Sequence, residues 1–351
     1  MDDTEVEPLK IAQILPEFCE GGVERYVLWL SNTLVATGNK LTVITAGGKL
    51  EEKLDPAVAL WKLPVQRKNP ITGFVSALRI AFRAKHEDWD IIHAHSRVPI
   101  WIAWWASILC RKPWVLTAHD RYRKNWAIFP FTKSNGVICV SEAVRDHLQG
   151  RLPLNTVVIR DGVPSTEWRW QVTKGNVGKM LFVGRLSHRK GLDTVLRALS
   201  ALKIRSWTLD VVGDGPERRD LEKLTEDLGI ASRVFFHGFS ECPEEWMAES
   251  DMLLFPSLDE GLGLVLMQAI QVGIPVLASD IEPVREIVGD RSGLVAPGDV
   301  EKWRKRIETV LTGEGKPPVY DPASVPGLKE MSDSVFRFLE SVADPSRTPR
   351  C

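Results

Sequence analysis

The sequence predicts an α/β protein built from two doubly wound domains, and three observations lead to this fold class. The chain has 351 residues, which exceeds one ordinary core and suits two. Short apolar runs alternate with helical patterns, which is typical of repeated βαβ units and parallel sheets. An irregular stretch at 166–178, containing Trp168 and Trp170 and ending in KGNVG, interrupts the alternation and predicts a linker.

The first domain is expected at residues 1–165. Seven strands are predicted there, at 10–15, 41–45, 58–63, 90–94, 114–118, 136–140 and 156–159. Helices are predicted from Gly22 to about Ala36 and over 71–86. In parallel sheets of this kind, ligands bind beyond the carboxyl ends of the strands, so functional residues are expected on the loops that follow strands.

The second domain is expected at residues 179–315, followed by a tail at 316–351. Six strands are predicted, at 180–184, 208–213, 233–238, 252–256, 274–279 and 293–296. The tail contains an amphipathic pattern near 328–342, and we expect this helix to pack back on the first domain. Two Rossmann-like domains facing a central cleft are the predicted architecture.

Composition and cysteine usage exclude several classes of protein. The net charge is −1, so a nucleic-acid partner is not expected, although residues 1–165 carry about four more basic than acidic residues. Five scattered cysteines without a CxxC spacing indicate reduced thiols in a cytoplasmic protein. The acidic start, MDDTEVE, is unlike a secretory signal, and no apolar run reaches the ~18–20 residues of a membrane-spanning helix.

The most informative segment is PSLDEGLGLVLMQAIQVGIPVLAS, at 256–279. Glu260, Gly261, Leu262 and Gly263 form a tight loop after a strand, and a helix begins at about Leu264. Glycines allow backbone N–H groups to approach a ligand, and a helix N-terminus favours an anion. EGLG alone fits an ordinary β-to-α turn equally well. The whole segment resembles the signature of retaining glycosyltransferase family 4, whose usual form is E-G-[FL]-G-x4-E-A-x2-x-G-x-P-V.

This resemblance implies a GT-B fold and assigns roles within the E-x7-E pair. The first glutamate of the pair contacts the donor sugar in that family, which implies the same role for Glu260. The second usually contacts the nucleotide ribose and falls on Gln268, where this sequence departs from the pattern. Glutamine can still bond ribose hydroxyls, but it carries no charge.

Two further segments resemble donor-binding elements of the same family. GRLSHRKGLDTVLRAL, at 184–199, matches G-R-[LF]-x3-K-G, which implies that Arg185 and Lys190, after Gly184, bind the donor diphosphate. VVGDGPERRDLE, at 211–222, matches V-G-x-G-P and implies that Gly213 and Gly215 lie near the nucleotide. HGF, at 237–239, corresponds to a strand end that contacts the base, although His237 fits a packed core histidine equally well.

The first half carries looser matches. CEGGVERYV places Gly21 and Gly22 where the family has a glycine-rich loop over the donor phosphate, and it is neither GxGxxG nor a Walker loop. TAHD places His119 at a family histidine beside the donor sugar. The predicted acceptor-side residues are His95, Ser96 and Arg121.

A DxD sequence, Asp88-Trp89-Asp90, binds metal in GT-A enzymes. Here it precedes a strand, and the family that this sequence resembles needs no metal. We therefore interpret it as a capping and turn element. The expected requirements are therefore no metal and no cofactor, with a UDP- or GDP-linked sugar as co-substrate.

The predicted reaction transfers a sugar from a nucleotide-diphosphate sugar to an acceptor hydroxyl with retention of configuration. The expected acceptor is lipid-linked or a polysaccharide, in lipopolysaccharide, capsule or other envelope glycan synthesis. Three alternatives remain open: a GT-B sugar-nucleotide epimerase, a glycogen- or sucrose-type phosphorylase or synthase, and a catalytically weak partner that keeps only the nucleotide site. Gln268 is the feature that favours the last.

An anionic membrane surface is a further expected partner, at the inner face of the cytoplasmic membrane. The first half contains two clusters of tryptophan with basic residues, the first of Trp101, Trp104, Trp105, Arg111, Lys112 and Trp114, and the second of Arg121, Arg123, Lys124 and Trp126. The spacing of Trp101 and Trp105 fits a core-facing helix stripe equally well.

Overall fold

The computed structural model describes residues 8–171, 178–344 and 346. Two compact units contain them: unit 1 is drawn from Met1–Pro164 and Pro326–Cys351, and unit 2 is Ser165–Val325. Residues 172–177 of the predicted linker lie outside the described residues, as do the last residues of the tail.

Unit 1 contains a parallel sheet of seven strands in the order β3-β2-β1-β4-β5-β6-β7. The strands are β1 (Lys10–Ile14), β2 (Lys40–Thr45), β3 (Ala59–Lys62), β4 (Ile91–His95), β5 (Trp114–Ala118), β6 (Gly136–Cys139) and β7 (Thr156–Val158). The helices between them are α1 (Gly22–Ala36), α2 (Pro70–His86), α3 (Arg97–Cys110) and α4 (Glu142–Leu148). All-parallel sheets require this arrangement, in which buried strands are covered by helices.

Unit 2 contains a parallel sheet of six strands in the order β10-β9-β8-β11-β12-β13. The strands are β8 (Lys179–Val183), β9 (Thr208–Val212), β10 (Val234–Gly238), β11 (Met252–Phe255), β12 (Val276–Ser279) and β13 (Leu294–Val295). The helices are α5 (Leu192–Ser200), α6 (Arg218–Asp227), α7 (Pro243–Ala248), α8 (Leu264–Val272), α9 (Glu282–Ile287) and α10 (Val300–Leu311). The predicted fold class, two doubly wound parallel-sheet domains, is confirmed.

The final helix, α11 (Leu328–Ala343), belongs to unit 1. One face of α11 enters the unit 1 core through Met331, Val335, Phe338, Leu339 and Val342. The segment before α11 lies against the end of the N-terminal part of unit 1. The amide of Val163 donates to the carbonyl of Pro326 over 3.1 Å. A side chain at Gly162 would collide with the Gly327 carbonyl, whose oxygen would lie 2.5 Å from a Cβ.

The segment that follows Pro164 is attached to unit 2. The backbone N–H of Trp170 donates to Val272, and its indole N–H donates to the carbonyl of Ser250, each over 2.9 Å. Among the described residues, no helix has the length and apolar character needed to cross a membrane.

Candidate active site

The loops that follow β8 and β11 in unit 2 pack directly against each other. The amide of Leu258 donates to the carbonyl of Arg189 over 2.8 Å. Gly191 has a φ of +63°, and a Cβ there would lie 2.2 Å from the carbonyl oxygen of Pro256. Only glycine fits this position, because both the left-handed backbone and the close approach exclude a side chain. The glycine of the predicted phosphate loop therefore serves loop–loop packing.

An ion pair joins the two loops. Lys190 Nζ lies 2.6 Å from Glu260 Oε1, and the same oxygen accepts a hydrogen bond from Ser257 Oγ over 2.6 Å. Glu260 is buried, so the ammonium and hydroxyl donors compensate the desolvation of its carboxylate. The structure thus brings together two residues that the sequence separates by 70 positions.

Arg185 lies on the same β8 loop, and its side chain is exposed. Within the described residues, no hydrogen bond or ion pair occupies its guanidinium, unlike Lys190. A guanidinium presents a planar fork of N–H donors that matches phosphate oxygens. The loop after β8 therefore presents the guanidinium of Arg185, which is unpaired in the part of the chain that the structure describes, and the ammonium of Lys190, which is paired with Glu260.

The loop after β9 lies at the same carboxyl-end side of the sheet and packs against the loop after β8. Gly213 has a φ of +138°, and a Cβ there would lie 1.9 Å from the carbonyl oxygen of Gly184. A Cβ at Gly215 would lie 2.3 Å from the carbonyl oxygen of Leu186. The Asp214 carboxylate accepts from the Gly215 amide over 2.7 Å, which shapes the turn. Both predicted nucleotide-binding glycines are thus required by contact with the β8 loop.

Gln268 is buried in α8, and its side chain is engaged. Its Nε2 donates to Glu244 Oε1, on α7, over 2.5 Å. The amide of glutamine can donate to a carboxylate, whereas a glutamate at 268 could not while ionised. Glu244 was missed by sequence reasoning, because a single glutamate 24 residues away carries no motif.

The remaining predicted donor residues lie close to these loops. Gly261 and Leu262 are buried, and Gly263, with a φ of +122°, caps the start of α8 at Leu264. His237 Nε2 lies 2.6 Å from Asp210 Oδ1, and the centroid of its ring lies 4.3 Å from that of Trp246, with the two rings tilted by 39°. His237 is thus held by packing and hydrogen bonding within unit 2.

Unit 1 contains a cluster of histidines at the carboxyl ends of β4 and β5. His95 Nδ1 lies 3.0 Å from His119 Nε2, and His93 Nε2 lies 2.7 Å from Thr117 Oγ1. The ring of Tyr26, from α1, meets the ring of His119 edge-on at 4.7 Å between centroids. We call these five residues the polar cluster. Strand pairing explains it, because His95 is in register with Thr117 on neighbouring strands.

Burial keeps the imidazoles of the polar cluster uncharged. Desolvation lowers the pKa of His93 and of His119 to about 3, and it lowers the pKa of His95 well below its usual value. A neutral imidazole offers one donor and one acceptor nitrogen, so the cluster can bond sugar hydroxyls without bringing a charge. His95 is fully buried and therefore supports His119.

Asp161 is a buried carboxyl that sequence reasoning missed. It follows β7, and desolvation raises its pKa from 3.8 to about 7. Its Oδ1 has no hydrogen-bond partner among the described residues. The field of Asp161 also contributes to a raised pKa of the Tyr26 hydroxyl, which links this carboxyl to the polar cluster.

The other predicted unit 1 residues occupy loop positions beside strands. Ser96 precedes α3 with a φ of +71°, a conformation that is costly for any residue other than glycine. Gly21 is the N-cap of α1, which begins at Gly22. The amide of Arg121 donates to Asp120 Oδ1 over 2.8 Å.

Each residue of the DxD sequence makes a contact within unit 1. Asp90 Oδ2 accepts from the Lys10 amide over 2.7 Å, and Asp88 Oδ1 lies 2.6 Å from Lys112 Nζ. Trp89 is buried. Both carboxylates, which lie just before β4, thus have partners elsewhere in unit 1: Lys10 at the start of β1 and Lys112 just before β5.

The two doubly wound sheets with their strand-end loops have the GT-B fold, and comparison with solved structures supports this fold class. A glycosyltransferase from Rickettsia africae superimposes with a TM-score of 0.82 at 22% identity, covering 96% of this chain and 99% of that one. Anabaena HepE in complex with UDP and glucose superimposes with a TM-score of 0.81 at 20% identity, covering 95% of this chain and 100% of that one.

Family models and relatives place the chain more narrowly. The model for glycosyltransferase family 4 matches residues 20–167, and that for glycosyl transferases group 1 matches residues 164–321. The chain belongs to this family of glycosyltransferases. An uncharacterized glycosyltransferase of Methanocaldococcus jannaschii is 26% identical, over 94% of this chain and 98% of its own.

Two characterised relatives differ in what their names describe. The lipopolysaccharide core biosynthesis glycosyltransferase of Rhizobium meliloti is 24% identical over 83% of this chain and 86% of its own. The 2-deoxystreptamine glucosyltransferase of Streptomyces kanamyceticus is 37% identical, but over 137 residues only, which are 37% of this chain and 35% of its own.

Proposed function

We propose that this glycosyltransferase moves a sugar from a nucleotide-diphosphate sugar to an acceptor hydroxyl with retention of configuration. The observation that carries the proposal is that the loops after β8, β9 and β11 meet at the carboxyl ends of these strands. Lys190, on the loop after β8, pairs with Glu260, on the loop after β11. Backbone donors, a free guanidinium and a held ammonium suit an anionic diphosphate.

The proposed roles in unit 2 follow from charge. Arg185 and Lys190 stabilise the negative charge that develops on the leaving diphosphate as the sugar–phosphate bond breaks. Glu260 accepts hydrogen bonds from sugar hydroxyls and fixes the ammonium of Lys190. The Gln268–Glu244 pair provides hydrogen-bonding groups for the ribose.

The proposed roles in unit 1 are those of neutral groups. His119 bonds a hydroxyl of the donor sugar, and His95 orients the ring of His119. Gly21 and Gly22, at the start of α1, supply backbone N–H groups to the donor phosphate. Ser96 and Arg121 face the acceptor. The leaving phosphate oxygen takes the proton of the acceptor hydroxyl, so no separate acidic pair is required.

An envelope glycan is the proposed acceptor class, with a lipid-linked or polysaccharide form. The relative named for lipopolysaccharide core biosynthesis supports it over most of its length. The relative named for 2-deoxystreptamine supports a small soluble acceptor, but it matches over about a third of its own length.

A donor panel tests the proposal. UDP- and GDP-linked sugars are incubated with the protein, and nucleotide release is measured with lipid-linked acceptors, with 2-deoxystreptamine and without acceptor. The expected result is acceptor-dependent release of one nucleotide, with the anomeric configuration retained in the product by NMR. Conversion of the donor sugar without any acceptor would support the epimerase instead. Absence of both nucleotide binding and release across the panel contradicts the proposal.

A further inference from the structure

Helix α2 of unit 1 presents a continuous apolar face to solvent. The residues of this face are Ile71, Phe74, Val75, Leu78 and Phe82, and all five are exposed, with Ile71 and Phe82 each 76% accessible. Their spacing places them on one side of a helix, within an arc of about 100° and over about 16 Å of its length. Soluble monomers rarely expose a contiguous apolar patch of this kind without a partner.

The opposite side of α2 explains why the large residues point outward. Its buried positions are mostly small: Gly73, Ser76, Ala77, Ala81 and Ala84. A Cβ at Gly73 would lie 3.3 Å from the ring of Trp105, so the small residues allow α2 to lie close against α3. The helix thus satisfies its packing within unit 1 through small residues, and its large apolar side chains remain available.

An aromatic chain continues the apolar face across α3. The ring of Phe74 meets that of Trp105 at 6.0 Å, and Trp105 meets Trp101 at 5.8 Å. Trp101 then meets Trp126 at 5.8 Å, and Trp126 is 77% exposed. The chain therefore ends in an indole directed to solvent, an arrangement that suits the headgroup level of a bilayer.

The charged residues of α2 itself have one sign. Helix α2 contains no acidic residue, and its exposed basic residues are Arg79 and Lys85, preceded by exposed Arg67 and Lys68. The nearest acids along the chain are occupied, because Glu87 pairs with Arg83 and Asp88 pairs with Lys112. A basic rim around an apolar stripe is complementary to anionic lipid headgroups above acyl chains.

We propose that the apolar face of α2 docks this protein on an anionic lipid bilayer, with the aromatic chain at the headgroup level. Phe74, Leu78 and Phe82 insert below the headgroups, while Arg79 and Lys85 contact lipid phosphates. This assignment moves the inserting residues from the two tryptophan clusters expected from the sequence to α2, and it keeps Trp126 of the second cluster at the headgroup level. Trp101 donates its indole N–H to the carbonyl of Ala127 and packs within unit 1, and Trp114 is fully buried.

Vesicle co-sedimentation tests the assignment. The full chain is mixed with phosphatidylcholine vesicles, with and without about one-third phosphatidylglycerol, at low and high salt. The wild type is expected in the pellet with anionic vesicles and to leave it as salt rises. The double variant Leu78→Ser/Phe82→Ser is expected to lose vesicle affinity by about tenfold or more, since two large apolar side chains no longer insert. Arg79→Gln/Lys85→Gln is expected to reduce the salt dependence.

The matched control is Leu154→Ser, which removes a fully exposed apolar side chain of unit 1 outside the face. It is expected to bind vesicles as the wild type does. Nucleotide binding by each variant is measured in parallel, and it should be unchanged, so vesicle docking and donor binding can fail separately. Unchanged vesicle affinity of the double variant overturns the assignment. So does a wild-type dimer that the same substitutions convert to a monomer without any vesicle binding, because a second copy would then cover the face.

Discussion

The strand-end loops of unit 2 and the polar cluster of unit 1 solve the placement of polar groups in opposite ways. In unit 2 the groups are charged and paired: Lys190 with Glu260, and Arg189 with Asp259 at 2.9 Å. In unit 1 they are buried or, for His119, half-buried, and the His93 Nδ1 and Asp161 Oδ1 atoms have no partner among the described residues. A charged group is stable where a counter-charge or solvent reaches it. Burial without a counter-charge shifts the pKa in the direction that favours the neutral form.

This difference indicates a division of chemistry between the two units. Paired cations with a free guanidinium suit a phosphate, whose charge is fixed and strong. Neutral imidazoles suit hydroxyls, which carry no charge and are selected by the direction of hydrogen bonds. Four experiments test this division.

The largest effect is expected from the cations of unit 2. Arg185→Ala is expected to lower kcat by on the order of 10²-fold or more, because a group that stabilises charge in the transition state is removed. Lys190→Ala should have a similar effect and also lower the Tm, since buried Glu260 loses its cation. Turnover of the best donor is measured for each variant.

The matched control for these variants is Arg189→Ala. Arg189 lies beside Lys190 on the same loop but is exposed and pairs with Asp259. Turnover within a few-fold of the wild type is expected for it. Full kcat in both Arg185→Ala and Lys190→Ala, with all three proteins folded, would remove the phosphate role.

The second effect concerns the Gln268–Glu244 pair. Gln268→Glu would restore the usual family residue. It would also place a second carboxylate beside that of Glu244, where the amide of Gln268 now lies 2.5 Å away. We expect this variant to lose roughly 1–3 kcal/mol of stability, because a buried donor becomes an unpaired acceptor. The exchange Glu244→Gln/Gln268→Glu should recover most of the loss. Urea unfolding and UDP titration are the measurements, with Glu245→Gln as the control. A single variant as stable as the exchange would contradict the pairing.

The third effect tests the burial of Asp161. Its folded pKa of about 7 lies above the ordinary 3.8, so the native state holds a proton that the unfolded chain has lost between about pH 4 and pH 7. This carboxyl therefore destabilises the protein progressively as pH rises through that window. Asp161→Asn should come close to the wild type near pH 4 and exceed its free energy of unfolding by roughly 3–4 kcal/mol at pH 8. Urea midpoints at both pH values decide it, and an advantage that does not grow with pH contradicts the assignment.

The smallest effect is expected from metal removal. Both DxD carboxylates already have partners in the structure, and the proposed diphosphate site uses side-chain cations and backbone donors. Turnover in EDTA should equal turnover in magnesium or manganese within a factor of about two. Activity that is lost in EDTA and returns with either metal would reject the metal-independent mechanism.

The sequence predicted the fold in detail, because strands buried on both faces read as short apolar runs. All thirteen predicted strands are present, with ends that differ by at most two residues, for example Val276–Ser279 against a prediction of 274–279. Motif spacing likewise identified the unit 2 loops, whose glycines are demanded by local contacts such as that of Gly213 with Gly184. Their functional roles stay predictions.

Contacts between distant elements could not be predicted. Glu244 and Asp161 carry no local pattern, and their significance arises only when the fold places them beside Gln268 and near Tyr26. The outward orientation of the apolar face of α2 could not be predicted either. Its residues fit the pattern of a core-facing stripe, but small residues on the opposite side occupy the interior.

The position of α11 has a consequence for biosynthesis. Unit 1 takes part of its core from residues after Pro326, whereas unit 2 is continuous from Ser165 to Val325. As the chain emerges from the ribosome, unit 2 has all its residues before unit 1 does. Until Met331, Val335 and Leu339 have been synthesised, the apolar surface of unit 1 that they cover stays exposed. Unit 1 is thus begun before unit 2 and completed after it.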